Sequence, residues 1–287
     1  MYDLKPTRDF FVGLDSDGCI FDTMEIKQKE CFTPNTIKFF GLQGVSKYAR
    51  EACEFVNLYS QSRGINRFPA LIEELEWTAN RPEVLARGVK VIVPQALRDW
   101  VARESKLGNP TLIEEVKRNP SPEMENVLAW SLAVNEAITD MVHGVPPFPF
   151  VRECLQKMRA LADTLVVSQT PNEALVREWR EHDIEQYVTE ICGQEYGTKK
   201  EVLMNAAKYA QNHVLMVGDA PGDFKAAKAN NTLFYPINPG AEEASWKRLF
   251  EEGLDRFFNG TFAGEYQQQL LDEFNTYLPI DPPWLRA

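Results

Sequence analysis

The sequence predicts an α/β fold, a doubly wound parallel sheet with an all-helical domain inserted into it, on three observations. Residues 150–237 alternate helical periods with short apolar runs, the pattern of a parallel sheet covered by helices on both faces. An apolar run from Phe10 to Leu14 stops at Asp15, Ser16, Asp17 and Gly18, as a buried strand does where it reaches the edge of a sheet. Between these two regions, residues 23–145 are almost free of strand-like runs, and a segment of about 120 residues is too long for a loop.

Length and charge fit this division. At 287 residues the chain exceeds an average domain, and 44% apolar content is ample for a packed core. The expected domains are residues 1–22 with 146–240 for the α/β core, 23–145 for the helical insertion, and 241–287 for a C-terminal helical extension. A net charge of −11 and a pI near 5.0 argue against a nucleic-acid-binding surface, which needs a basic face. Residues 241–287 carry nine acidic and four basic side chains, so the extension reads as a solvated face. Cys19, Cys31, Cys53, Cys154 and Cys192 are scattered, odd in number and without a CxxC pair, which speaks against a disulfide framework or a zinc site and for a reducing cytoplasm. His143, His182 and His213 lack the paired spacing of a histidine metal site. Residues 1–9 are polar and charged, and no apolar run approaches the length of a membrane span, so neither export nor a membrane partner is expected.

At the end of the first strand, Asp15 and Asp17 are two residues apart, so on an extended chain both side chains leave the same side. Gly18 permits the turn that follows. Two crowded carboxylates repel unless something positive lies between them, and a hard divalent cation with oxygen ligands is the usual partner. One could act as a nucleophile and the other as a general acid or base. The same four residues also suit a plain strand-ending turn.

In the insertion, helices are expected from Ser46 to Ser60, Ala70 to Ala79, Gln95 to Glu104 and Glu123 to Val142, with Pro69, Pro82, Pro110, Pro120 and Pro122 among the breakers between them. Val89 to Val93 reads equally as a strand or an extended connector before Pro94. The Gly144-to-Pro149 run, rich in proline, returns the chain to the core as a stiff connector.

The core then continues with helices at Phe150 to Leu161, Glu173 to Glu181, Lys199 to Ala210 and Phe224 to Ala229. Strands are expected at Thr164 to Val167, Tyr187 to Cys192, His213 to Val217 and Leu233 to Ile237. Ligands of such sheets bind beyond the carboxyl ends of the strands. There the sequence places Ser168 after the second strand, Lys199 after the third, and Gly218-Asp219-Ala-Pro-Gly222-Asp223 after the fourth. These are groups that phosphoryl transfer needs, and their recurrence after successive strands outweighs any one motif. The tail aromatics Trp246, Phe250, Phe257, Phe258, Tyr266, Phe274 and Tyr277 suit amphipathic helices packed on the core or on a second subunit.

These residues resemble the four ordered motifs of the haloacid dehalogenase superfamily: an Asp-x-Asp-Gly strand end, a Ser or Thr, a Lys, and a Gly-Asp-x-x-x-Asp. The resemblance covers residues 9–23 and 146–237 by motif, and the helical insertion is similar in position to the family's cap domain. It implies a Rossmann-like core and a magnesium-dependent phosphomonoester hydrolase of a small soluble phosphorylated metabolite. In that reading Asp15 is the nucleophile and Asp17 the general acid and base. Ser168 holds a phosphate oxygen, and a lysine supplies fixed positive charge. Lys199 and Lys200 compete for the last role, and the register favours Lys199. Magnesium would be held by Asp15, the Asp17 backbone carbonyl and Asp219. Asp223 would be a further ligand, an acceptor that orients one, or the N-cap of the helix from Phe224. The loop from Tyr59 to Phe68 resembles the Ser-Arg-containing cap loop of β-phosphoglucomutase-like members, which makes Arg63, Asn66 and Arg67 substrate-binding candidates. The alternatives are a phosphotransferase or mutase of the β-phosphoglucomutase type, or a non-catalytic binding protein of the same fold.

Overall fold

A computed structural model describes residues 2–285. Five parallel strands, β1 (Phe10–Leu14), β2 (Ala162–Val167), β3 (Glu190–Cys192), β4 (Val214–Gly218) and β5 (Leu233–Pro236), form one sheet in the order β3-β2-β1-β4-β5. Strand β1 is central, with Leu14 opposite both Val166 and Val217. Alternate residues serve opposite faces: Val12, Leu14, Val166 and Val217 enter one apolar cluster, and Phe11, Leu165, Val167 and Met216 enter the other. The sheet is therefore buried on both sides, and because its strands run parallel, their carboxyl ends share one edge.

The described residues divide into two compact units, residues 2–24 with 143–279 and residues 25–142 with 280–285. The second unit is helical. Its principal helices span Thr33–Phe39, Ser46–Leu58, Arg67–Ala79, Gln95–Arg103, Asn109–Arg118 and Pro122–Met141, around a core that includes Phe68, Leu75, Trp100, Leu112 and Trp130. A buried carboxylate, Glu74, sits among them and accepts from Asn57 (2.7 Å), Thr36 (3.3 Å) and Cys53 (3.3 Å). Burial pushes its carboxyl up, against the pull of these donors. Residues near the C-terminus close one face of this unit. Trp284 packs against Phe55 and Trp77 and lies 4.2 Å from the Arg81 guanidinium, which is paired with Glu51 at 2.7 Å.

Several elements differ from the sequence expectation for one reason. Pro82, Pro110 and Pro122 each occupy the first turn of a helix, where a missing N–H costs nothing, so residues read as separators in fact begin helices. Asn109–Arg118 and Pro82–Ala86 were hidden in this way, and the helix expected from Phe224 starts at Pro221. Residues 89–93 form no strand, and the helix from Lys199 is α-helical only to Val202 before continuing as a 3₁₀ turn over Leu203–Lys208. The strand expected from Tyr187 begins at Glu190. The tail aromatics pack within the first unit: Trp246, Phe257 and Phe274 are buried, and the Trp246 indole donates to the Cys19 carbonyl at 2.7 Å.

At the amino end of β2, buried Asp163 gathers the N-terminal segment, accepting from the Thr7 N–H (2.8 Å) and hydroxyl (2.5 Å), the Arg8 N–H (3.0 Å) and the Tyr209 hydroxyl (2.8 Å). Burial alone would raise its carboxyl, but these donors outweigh it and hold the group below its ordinary value of 3.8. Asp163→Ala is expected to lower stability by about 3 kcal/mol, read from the urea midpoint, because it strands several donors at once. The sign in pH follows from the depressed value. The stabilisation is fully present above the unfolded carboxylate range and is lost as pH falls through the folded value, so the gap between variant and parent should shrink in acid.

Candidate active site

At the end of β1 the Asp15 N–H still bonds the Val217 carbonyl (3.0 Å), so the strand holds its direction into the site. The intervening Ser16 turns inward, its hydroxyl accepting from the Trp179 indole at 3.1 Å. Asp15 and Asp17 accordingly leave from the other side, as the two-residue spacing requires. The Ser16 carbonyl accepts from Cys19, Ile20 and Phe21, and Gly18 makes the turn with φ 74°. Residues 15–18 thus form the strand-ending turn and also present two carboxylates.

Lys199 opens its helix behind Thr198, which caps it reciprocally with Glu201: the Glu201 N–H donates to the Thr198 hydroxyl at 3.2 Å, and the Thr198 N–H to the Glu201 carboxylate at 2.7 Å. From there the Lys199 ammonium reaches Asp15 Oδ2 at 2.6 Å and Asp223 Oδ1 at 2.5 Å. Lys200 is exposed. Burial pushes the Asp15 carboxyl well above the ordinary range, Lys199 opposes the shift, and Asp223 and Asp219 add to it. Burial would lower the Lys199 ammonium, but Asp15 and Asp223 outweigh it and hold the group protonated.

Asp219 and Asp223 follow β4, and both are buried. Asp223 lies in the first turn of the helix from Pro221 and bonds back to the Ala220 N–H at 3.1 Å, so its capping role is that of the third helical residue and not of an N-cap. Gly218 is required here: a Cβ on it would sit 2.5 Å from Asp223 Oδ2. Carboxylate oxygens of Asp15, Asp219 and Asp223 all lie within 4.8 Å of one another, and all three residues are buried. Buried carboxylates so gathered, with one shared ammonium, fit a hard divalent cation.

After β2, Ser168 is buried, its N–H on the Cys192 carbonyl (3.0 Å) and its hydroxyl accepting from the Thr170 N–H (3.2 Å). Thr170 was not singled out by the sequence. Its hydroxyl donates to Asp17 Oδ2 at 2.6 Å, while Thr23 donates to Asp17 Oδ1 at 2.5 Å. A hydroxyl two residues beyond Ser168 and fixed by Pro171 was the available signal, but its partner lies at the end of another strand. One sheet edge thus gathers Asp15, Asp17, Ser168, Lys199, Asp219 and Asp223.

Arg63, Asn66 and Arg67 lie in the helical unit. Asn66 caps the helix Arg67–Ala79, accepting from the Phe68 N–H at 3.1 Å, and its amide donates to the Leu107 carbonyl at 3.1 Å. Arg63 is buried and donates to the Leu58 carbonyl at 2.9 Å. Arg67 uses one nitrogen on Asn135 (2.7 Å) and on the Ser131 hydroxyl (3.0 Å), with its guanidinium 5.1 Å from the Phe32 ring. Burial lowers it to about 10.

Comparison with known proteins follows the same lines. A model of the haloacid dehalogenase-like hydrolase family matches residues 102–235. A provisionally named phosphoglycolate phosphatase from Lactobacillus delbrueckii subsp. bulgaricus superposes with a TM-score of 0.52 at 14% identity, over 87% of this chain and 98% of that one. A haloacid dehalogenase-like family protein from Streptococcus pneumoniae superposes with a TM-score of 0.48 at 12% identity, over 83% and 90% of the two chains. No curated protein matches the chain. The family model and the first of these folds bear out the resemblance that the four motifs carry. Among the described residues, no helix is long and apolar enough to cross a membrane.

Proposed function

We propose, for a chain with the fold of the haloacid dehalogenase-like hydrolases, that it is a magnesium-dependent phosphomonoester hydrolase of a small phosphorylated metabolite. The observation that carries the reading is the Asp15 carboxylate, buried with Asp219 and Asp223 and held 2.6 Å from Lys199. An Asp15 oxygen attacks phosphorus, the bond from phosphorus to the ester oxygen breaks, and Asp17 gives its proton to the departing alcohol. Water then attacks the phosphorus of the aspartyl-phosphate, Asp17 takes a proton from it, and inorganic phosphate leaves with Asp15 restored. Lys199 and the Ser168 hydroxyl hold the charge that builds on the phosphoryl oxygens. Asp15, Asp219 and Asp223, with the Asp17 carbonyl, would hold the magnesium, which when bound screens the carboxylates from the incoming phosphate. Those three carboxylates, two of them paired with Lys199, support hydrolysis over a binding-only role, because such crowding has no structural benefit of its own.

The test is release of inorganic phosphate from a panel of phosphorylated metabolites in magnesium chloride. Turnover should appear with magnesium, vanish on chelation, and return on magnesium readdition. A chain that binds magnesium but releases phosphate from no ester would overturn the proposal.

A further inference from the structure

We infer that Thr170 is a positioning residue for Asp17, fixing the carboxylate that exchanges the proton with the leaving group; the inference rests on the hydrolase reading. Each oxygen of Asp17 accepts one hydroxyl, Oδ1 that of Thr23 at 2.5 Å and Oδ2 that of Thr170 at 2.6 Å. The two hydroxyls thus address both oxygens of the carboxylate. Thr23 stands at the start of the helix Thr23–Ile26 on Asp17's own segment, whereas Thr170 comes from the loop after β2. Thr170 therefore ties Asp17 to the segment that carries Ser168.

That loop is rigid enough for the task. The Thr170 N–H donates to the Ser168 hydroxyl at 3.2 Å, and its carbonyl accepts from the Gln194 N–H at 3.0 Å. Pro171 confines the Thr170 backbone to extended conformations. On the following turn Asn172 accepts from the Gly193 N–H at 3.0 Å, joining the loop to the end of β3. The hydroxyl is thus delivered from a frame that two neighbouring strands fix. Without it, Asp17 loses its bond to that frame.

Esters with different leaving groups separate this role from a structural one. The rates of Thr170→Val and Thr170→Ser would be compared with the parent on p-nitrophenyl phosphate, phenyl phosphate and glycerol phosphate in magnesium chloride. p-Nitrophenolate departs without a proton, while a glycerol alkoxide cannot. Thr170→Val should lose about 10- to 100-fold in kcat/KM on glycerol phosphate, within the range that general acid catalysis supplies, and less than about threefold on p-nitrophenyl phosphate. Thr170→Ser should recover most of the loss. If Thr170→Val fails to melt cooperatively, Thr170→Ala is read in its place. An equal loss on all three esters, no loss on any, or a loss that serine does not repair overturns the inference while the hydrolase reading stands. A parent chain inactive on every ester, by contrast, overturns both.

Discussion

Replacing Asp15 with asparagine is expected to abolish phosphate release and leave the protein folded. The amide keeps the shape of the carboxylate, and its oxygen can still accept from the Ser16 N–H, a bond of 2.8 Å in the parent. Lys199 retains Asp223 at 2.5 Å, so its ammonium stays paired. The substitution also removes one charge from a crowded acidic group, which relieves repulsion. What it removes is the oxygen that, in the proposed mechanism, bonds to phosphorus. Loss of a nucleophile in a concerted set costs far more than a stabilising contact, and a fall in kcat of at least about 10⁴-fold is expected. The chemical check is labelling: substrate carrying radioactive phosphate should mark the parent with hydroxylamine-labile phosphate and leave Asp15→Asn unmarked. Equal labelling of both would remove Asp15 from the role.

The second large effect is expected at Lys199, and there it should divide into two measurable parts. Lys199→Met takes away the ammonium between Asp15 and Asp223 and leaves Asp15, Asp219 and Asp223 buried together. Breaking a buried pair by removing one partner costs about 3–5 kcal/mol, so the metal-free variant should melt well below the parent. Magnesium, which binds the folded state alone, should restore much of that loss. Turnover should not return with it, because fixed positive charge on the transferring phosphoryl group is worth roughly 10²–10³ in rate. Thermal melts with and without magnesium chloride, set beside phosphate release, read both parts. A variant whose melting temperature ignored magnesium would place the metal elsewhere.

The gathering of the candidate site was legible because its residues follow short apolar strands, and a parallel sheet brings all strand ends to one edge whatever lies between them. Asp15, Ser168 and Asp219 needed only that rule, and Lys199 needed the motif register to set it apart from Lys200. Their separations in sequence were irrelevant to it. Thr170 needed more, since its meaning depends on Asp17, 153 residues away in the chain. Proline misled in a consistent way: Pro82, Pro110 and Pro122 signal an end or a beginning alike, and only the surrounding packing tells which. Asn66, noticed for its place in a polar loop, caps a helix with one end of its amide and holds a carbonyl with the other. The buried network at Glu74 left no trace, because a glutamate in a helical run is ordinary until the neighbouring helices close over it.

Trp284 has a consequence for the order in which the protein is made. The ribosome delivers Phe55 and Trp77 early, yet the ring that covers them arrives some two hundred residues later. At the usual pace of synthesis that interval is roughly 10–40 s. Strand β1 waits similarly, for Ala162 on one side and Val214 on the other. The nascent chain therefore carries an uncovered aromatic face and an unpaired central strand through most of its elongation. A chaperone that shields such surfaces would find both on the ribosome, and a chain cut short before Trp284 would keep the first of them for good.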